Sequence, residues 1–158
     1  MSHQFDQTDM GILQLLQEDA RLTHKELAHR LHKSVTPIHI RVRRLQEEGY
    51  IKRYAAILNQ DKIGKSLTAF TQVQVKEHSQ EGLLAFKEEI IKITEVMECY
   101  HMTGSFDFLL RIVIRDMKEY NDVLIDKLAK VKDIGHVESF FVISEIKHET
   151  AFSLHTKT

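Results

Sequence analysis

Between Arg30 and Arg53 the chain places Arg30, Lys33, Arg41, Arg43, Arg44, Lys52 and Arg53 against only two acidic residues, Glu47 and Glu48, although its 158 residues together carry a formal net charge of -1. From Asp61 onward the balance reverses to 13 basic and 16 acidic residues. The positive charge is therefore local. A basic patch on a weakly acidic body suits a specific polyanion-binding module, whereas a uniformly basic chain would attract polyanions without discrimination. The competing reading is a solvated helix face, with Arg43 and Arg44 paired to Glu47 and Glu48 at spacings of four.

Three short helices must position these charges. Asp6 is suited to cap a first helix running to about Glu18, with Asp9 in its first turn and Ile12, Leu13, Leu15 and Leu16 as an apolar stripe. Thr23 and Glu26 have the spacing of a capping box for a second helix buried through Leu27, Ala28 and Leu31. Ser34 or Thr36 starts a third helix, which tolerates Pro37 in its first turn. Its core face is expected to be Val35, Ile38, Val42 and Leu45, and Gly49 ends it. Tyr50 to Leu58 is rich in strand formers. This is the pattern of a helix-turn-helix whose last helix enters the major groove of double-stranded DNA. Ser34, Thr36 and His39 would reach base edges, and Lys33, Arg41, Arg43 and Arg44 would neutralise phosphates or read guanine.

Asn59 to Lys65 reads as a linker, and beyond it the pattern changes. Strands are expected at Leu67 to Val75, Val96 to Thr103, Phe106 to Arg115 and Val137 to Lys147. Helices are expected at Gln80 to Ile93 and from Met117 to Val131. The fold class is α+β: a helix-turn-helix, winged-helix-like domain over 1–58, a linker over 59–65, and a ferredoxin-like βαββαβ domain with an antiparallel sheet over 66–158. Two helices cover only one face of such a sheet, yet both faces of the last strand are apolar, with Val137, Phe141 and Ile143 on one side and Phe140, Val142 and Ile146 on the other. A second copy would cover the free face and make a dimer. The alternative is a monomer whose N-terminal domain covers it.

Three segments resemble the Lrp/AsnC, or feast/famine, transcriptional regulators. FDQTDMGILQLLQEDAR is similar to the family's opening helix, LTHKELAHRLHKSVTPIHIRVRRLQEEGYIKRY to its helix-turn-helix and following strand, and MTGSFDFLLRI to its ligand-domain signature. The resemblance implies DNA binding, dimers that assemble up to octamers, and regulation by amino acids or related metabolites. It also implies an effector site between dimers, lined by Met102, Thr103, Gly104, Ser105, Phe106 and Asp107 and by Ser139, Phe141 and Ile143 of a neighbour. Gly104 would let backbone N–H groups approach a carboxylate, and Asp107 would receive an ammonium. Equally, the loop reads as a hairpin in which Gly104 makes the turn and Asp107 caps local backbone. Two positions depart from the family pattern. His32 and Lys33 stand where the turn usually has Gly and a large aliphatic residue, and Ser105 stands where a carboxylate is common. Histidine tolerates the left-handed backbone such a turn needs better than most residues.

Other chemistry finds little support. His29 and His32, and Cys99 and His101, are paired at short spacings without a third ligand in sequence, so no metal site is assigned. No nucleotide-binding or nucleophile motif occurs, which argues against an enzyme, and no cofactor is expected beyond an amino-acid effector. One cysteine excludes an intrachain disulfide, and the absence of a signal peptide or a membrane-spanning run points to the cytoplasm. The rival function is a small-molecule-binding or assembly protein that no longer binds specific DNA.

Overall fold

The computed structural model describes residues 5–154, which form two compact units. Residues 58–146 make one; the other combines the chain up to Ile57 with the segment from Lys147 onward.

The first unit holds α1 (Gln7–Glu18), α2 (His24–Arg30) and α3 (Val35–Glu47). Each helix starts where the sequence supplies a start. Asp6 accepts from the N–H groups of Thr8 and Asp9 at 2.9 and 3.0 Å, and the Asp9 carboxylate accepts from the Asp6 N–H at 3.1 Å. Thr23 and Glu26 close the expected capping box, at 2.7 and 3.2 Å. Ser34 occupies the cap position of α3 without a side-chain bond. Ile12, Leu16, Leu27, Ala28, Ile38, Val42 and Leu45 form the core. Val35 does not join it, because it opens α3 at the free end of the helix and is exposed. Gly49 ends α3 with φ +77°, as expected.

Residues 50–58 form no strand. Strand formers need a neighbouring backbone to bond to, and among the described residues none pairs with this stretch. It is held instead by the Ile51 N–H, which donates to the Leu45 carbonyl at 3.1 Å, and by side chains: Tyr50 stacks on Phe5 at 5.0 Å, and the Tyr54 hydroxyl accepts from Gln46 at 3.1 Å. The segment from Lys147 onward also belongs here rather than with the sheet. Phe152 exchanges hydrogen bonds with Gln17 at 2.7 and 3.1 Å, and Gln14 donates to the Leu154 carbonyl at 3.1 Å.

In the second unit β1 (Leu67–Val75), α4 (Gln80–Ile90), β2 (Val96–His101), β3 (Phe108–Ile114), α5 (Met117–Asp122) and β4 (Ile134–Phe141) follow the expected βαββαβ order. After α5 the chain widens into a π turn over Val123–Lys127 and tightens into a 3-10 turn over Leu128–Lys130. The sheet is antiparallel with order β2-β3-β1-β4. Alternation decides its faces. Ala69, Val73, Phe108, Leu110, Ile112 and Ile114 meet Phe86, Ile90, Val123 and Leu128 in one core. Phe70, Leu109 and Phe140 lie on the opposite face, where Arg111 pairs with Glu98 at 2.7 Å. The last strand begins three residues earlier than expected and stops at Phe141, so Ile143 and Ile146 lie beyond it, exposed.

Candidate nucleic-acid interface and effector loop

The turn between α2 and α3 closes as a left-handed helix end. His32 takes φ +53°, and the N–H of Lys33 reaches back to the Ala28 carbonyl at 2.9 Å. Histidine therefore serves where glycine is usual, and Lys33 points its charge to solvent instead of filling the core.

Ile38, Val42 and Leu45 anchor α3, with Ile38 and Leu45 wholly buried. Burial of such side chains stabilises by about 1.5–3 kcal/mol each, enough to fix the helix's rotation about its axis. That rotation exposes Ser34, Thr36, His39 and Arg43, and leaves Lys33 exposed at the turn. The Nδ1 atoms of His39 and His24 are 3.2 Å apart and the rings meet edge to face at 4.8 Å, which pins the start of α2 to α3. Arg43 Nε donates to Glu47 Oε1 at 2.7 Å, with the Arg43 side chain 72% exposed. An exposed pair one turn apart is worth a few tenths of a kcal/mol, so a phosphate can displace Glu47 from Arg43.

Arg41 and Arg44 do not belong to this surface. Arg41 Nη1 lies 2.8 Å from Asp6 Oδ2 and from Asp9 Oδ1, and Arg44 Nη2 lies 2.6 Å from Asp9 Oδ2. The two arginine side chains are 22% and 16% exposed, and that of Asp9 is 0% exposed. They bolt α3 to the start of α1. Burial opposes charge on Arg41, but its bonds to Asp9 and Asp6 outweigh this and raise its pKa. Asp6 is lowered: against partial burial, the Asp9 N–H and the Arg41 guanidinium hold its charge. The sequence signal for this lock was an acid at Asp9, in the turn that opens an apolar helix, with two arginines one turn apart on another helix.

In the second unit Met102 to Asp107 join β2 to β3. Gly104 takes φ +126°, a conformation that favours glycine. The Asp107 carboxylate reaches across to the end of β1 rather than capping its own turn. Asp107 Oδ2 accepts from the Val75 N–H and Oδ1 meets His78 Nε2, each at 2.8 Å. The Val75 N–H first, and His78 second, hold the Asp107 carboxyl below its usual range. Each oxygen thus already accepts one donor from this chain. Gln74 Nε2 donates to the Ser105 carbonyl, and Met102 N–H to the Asp107 carbonyl at 2.8 Å. Met102, Thr103, Gly104 and Ser105 are exposed, and Phe106 is half-buried.

Ser139, Phe141 and Ile143 are not brought to this loop within the chain. The Ser139 hydroxyl bonds to Thr71 at 3.0 Å and to Tyr120, and Phe141 packs edge-on against Tyr120 at 4.9 Å, so both face the helix layer. His78 is the partner the sequence did not announce; lying in the connection after β1, it has no fixed spacing to Asp107. Among the described residues no three metal-ligating side chains converge, and no helix is long and apolar enough to cross a membrane.

Two sequence families match along the chain: winged helix-turn-helix DNA-binding over residues 5–52 and the Lrp/AsnC ligand binding domain over residues 68–152. The chain belongs to the Lrp/AsnC family. It is 32% identical over 148 residues to the Bkd operon transcriptional regulator of Pseudomonas aeruginosa, covering 94% of this chain and 97% of that one. It is 35% identical over 147 residues to the transcriptional regulator AzlB of Bacillus subtilis, covering 93% and 94%. Among solved structures, a Neisseria meningitidis transcriptional regulator in complex with L-Met superposes with a TM-score of 0.89 at 33% identity, over 95% of this chain and 97% of that one. An AsnC family regulator from Agrobacterium tumefaciens also gives 0.89, at 35% identity over 94% and 96%. This Lrp/AsnC protein is a transcriptional regulator with a DNA-binding unit and a ligand-binding unit.

Proposed function

We propose that the outward face of α3 reads a duplex operator, with Ser34, Thr36 and His39 at base edges and Lys33 and Arg43 on phosphates. The observation that carries this is the division of labour on α3. The buried row and the Asp9 lock hold the helix, so the exposed row of hydroxyl, imidazole and guanidinium is left for a ligand. Two such helices in a cytoplasmic dimer would address half-sites separated by whole helical turns, about 34 Å for one turn. The dimer would form across the sheet face that carries Phe70, Tyr100, Leu109 and Phe140.

The effector in this reading is a free amino acid held near Met102–Asp107, in keeping with the L-Met complex of the Neisseria relative. Gly104 and the exposed loop backbone would meet the carboxylate. Asp107 would shape the loop and also receive the ammonium at a remaining lone pair. An effector acts only through different affinity for two assemblies or two spacings of the DNA-binding units. Selection of genomic fragments by the purified protein, with and without a panel of amino acids, tests both halves. Enrichment of a two-fold symmetric motif whose occupancy changes with one amino acid is expected. An absence of any enriched motif would favour the assembly-protein reading.

A further inference from the structure

Ile40 lies in the middle of the outward face of α3 and is 61% exposed. It follows Ile38 by two positions, which at about 100° per residue turns it about 160° from that buried side chain. Thr36 sits one turn before it and Arg43 one turn after it, so an aliphatic side chain interrupts a stripe otherwise suited to hydrogen bonding and ion pairing. The core gains nothing from Ile40, because Ile38, Val42 and Leu45 already fill the buried row. Isoleucine is also a middling helix former at an exposed site, so helix stability gives no reason for it.

Resting on the reading of α3 as the groove-entering helix, we propose that Ile40 recognises the C5-methyl group of a thymine in each half-site. In the major groove each base pair offers donors and acceptors, and thymine alone of the four standard bases adds a methyl group. Isoleucine can neither donate nor accept, so its favourable contact there is apolar. Packing against a methyl removes apolar surface from water on both partners. Opposite guanine or the amino group of cytosine, the same side chain would strip water from a polar atom without replacing its hydrogen bond, which is unfavourable. One side chain thus favours thymine and disfavours the alternatives. Thr36 and Arg43 remain free to fix register through base edges and phosphates.

The test begins with duplexes selected from a random-sequence pool by the full-length protein. Each thymine of the selected duplex is then replaced singly by uracil, which removes the methyl and keeps the pairing. Affinities are measured for the unaltered chain, Ile40→Val and Ile40→Ala. The unaltered chain is expected to lose about fourfold at one thymine per half-site, equivalent to about 0.8 kcal/mol for one buried methyl at 1.4 kcal/mol per tenfold. Ile40→Ala is expected to bind the thymine duplex more weakly and to show no difference at that position, with Ile40→Val between the two. Alanine at this exposed helical site keeps the fold, which circular dichroism checks. A selected sequence at which the unaltered chain is indifferent to every uracil overturns the assignment of Ile40 alone. So does an Ile40→Ala variant that keeps the full uracil penalty. A pool that yields no preferred sequence overturns the operator-reading function, and this assignment with it.

Discussion

Five arginines within one stretch of sequence would look alike to a counterion, yet their surroundings divide them. Arg41 and Arg44 are committed to Asp9, whose carboxylate is sealed from solvent, and Asp6 shares the load at the edge. Removing Asp9 leaves Arg41 with Asp6 alone and Arg44 with only Glu48 at 4.0 Å, in a site where the Arg44 side chain is 16% exposed, and breaking a buried pair from one side costs about 3–5 kcal/mol. Asp9→Ala is therefore expected to destabilise the first unit by about 3 kcal/mol, read as a fall in the urea midpoint. A change below about 0.5 kcal/mol would mean that water reaches the pair. Arg43 is the converse case. Its partner Glu47 is exposed, so Arg43→Ala is expected to leave the midpoint unchanged within about 0.5 kcal/mol. The same change should weaken binding to all duplexes alike and lower the salt dependence by about one phosphate contact. Loss of affinity at one base position alone would instead make Arg43 a base reader. Arg30 and Arg53 are both exposed.

At the scale of elements, the second unit is tied together at Glu119 in α5. Its carboxylate accepts from Lys65 Nζ at 2.8 Å, just ahead of β1, and from the Arg115 N–H at 2.6 Å, just after β3. The bond from Lys65, followed by that from the Arg115 backbone, lowers its pKa to about 2. An acid depressed on folding contributes stability that is complete above its unfolded pKa, near 4.5, and is lost as pH falls toward 2. Glu119→Gln is thus expected to be less stable than the unaltered chain at pH 7, with the gap closing between pH 4.5 and 2. Urea midpoints across that range check it, and a constant gap would assign the effect to packing rather than charge. Local signals in the sequence made most elements legible, because caps such as Thr23 and Glu26 act within four residues and alternation in β1 needs no partner to be seen. The closer partner of Arg44 was not legible for the opposite reason: Asp9 lies on another helix at 2.6 Å, while spacing pointed to Glu48, four residues away and 4.0 Å off. The same limit applies to residues 50–58, whose strand formers are visible but whose lack of a pairing backbone is not. The π turn after α5 has no spacing signal, since Leu124 and Leu128 fit an ordinary helix equally well.

For the whole molecule the open face of the sheet sets the expectation. Tyr100 and Phe140 are each about half exposed there, and Phe70 and Leu109 lie between them on the central strands. The carboxylate of Glu98 is already bound by Arg111 and by the Tyr100 hydroxyl, while Glu138 stays exposed on the same face. A face with aromatic side chains at its centre can pair with its own copy about a two-fold axis while Glu138 stays at a solvated rim. Phe140→Lys would bury two charges of one sign in such an interface, one from each copy, where desolvation and repulsion act together. The expected outcome is a shift to monomer in sedimentation velocity, with the circular dichroism of the fold retained because Phe140 lies outside the helix-packed core. DNA binding gives a second readout. If two α3 helices bind as a linked pair, monomerisation removes the benefit of effective concentration, and affinity for a two-half-site duplex falls to near that for a single half-site. A Phe140→Lys chain that remains dimeric and binds both duplexes as before would place the dimer contact elsewhere on the molecule.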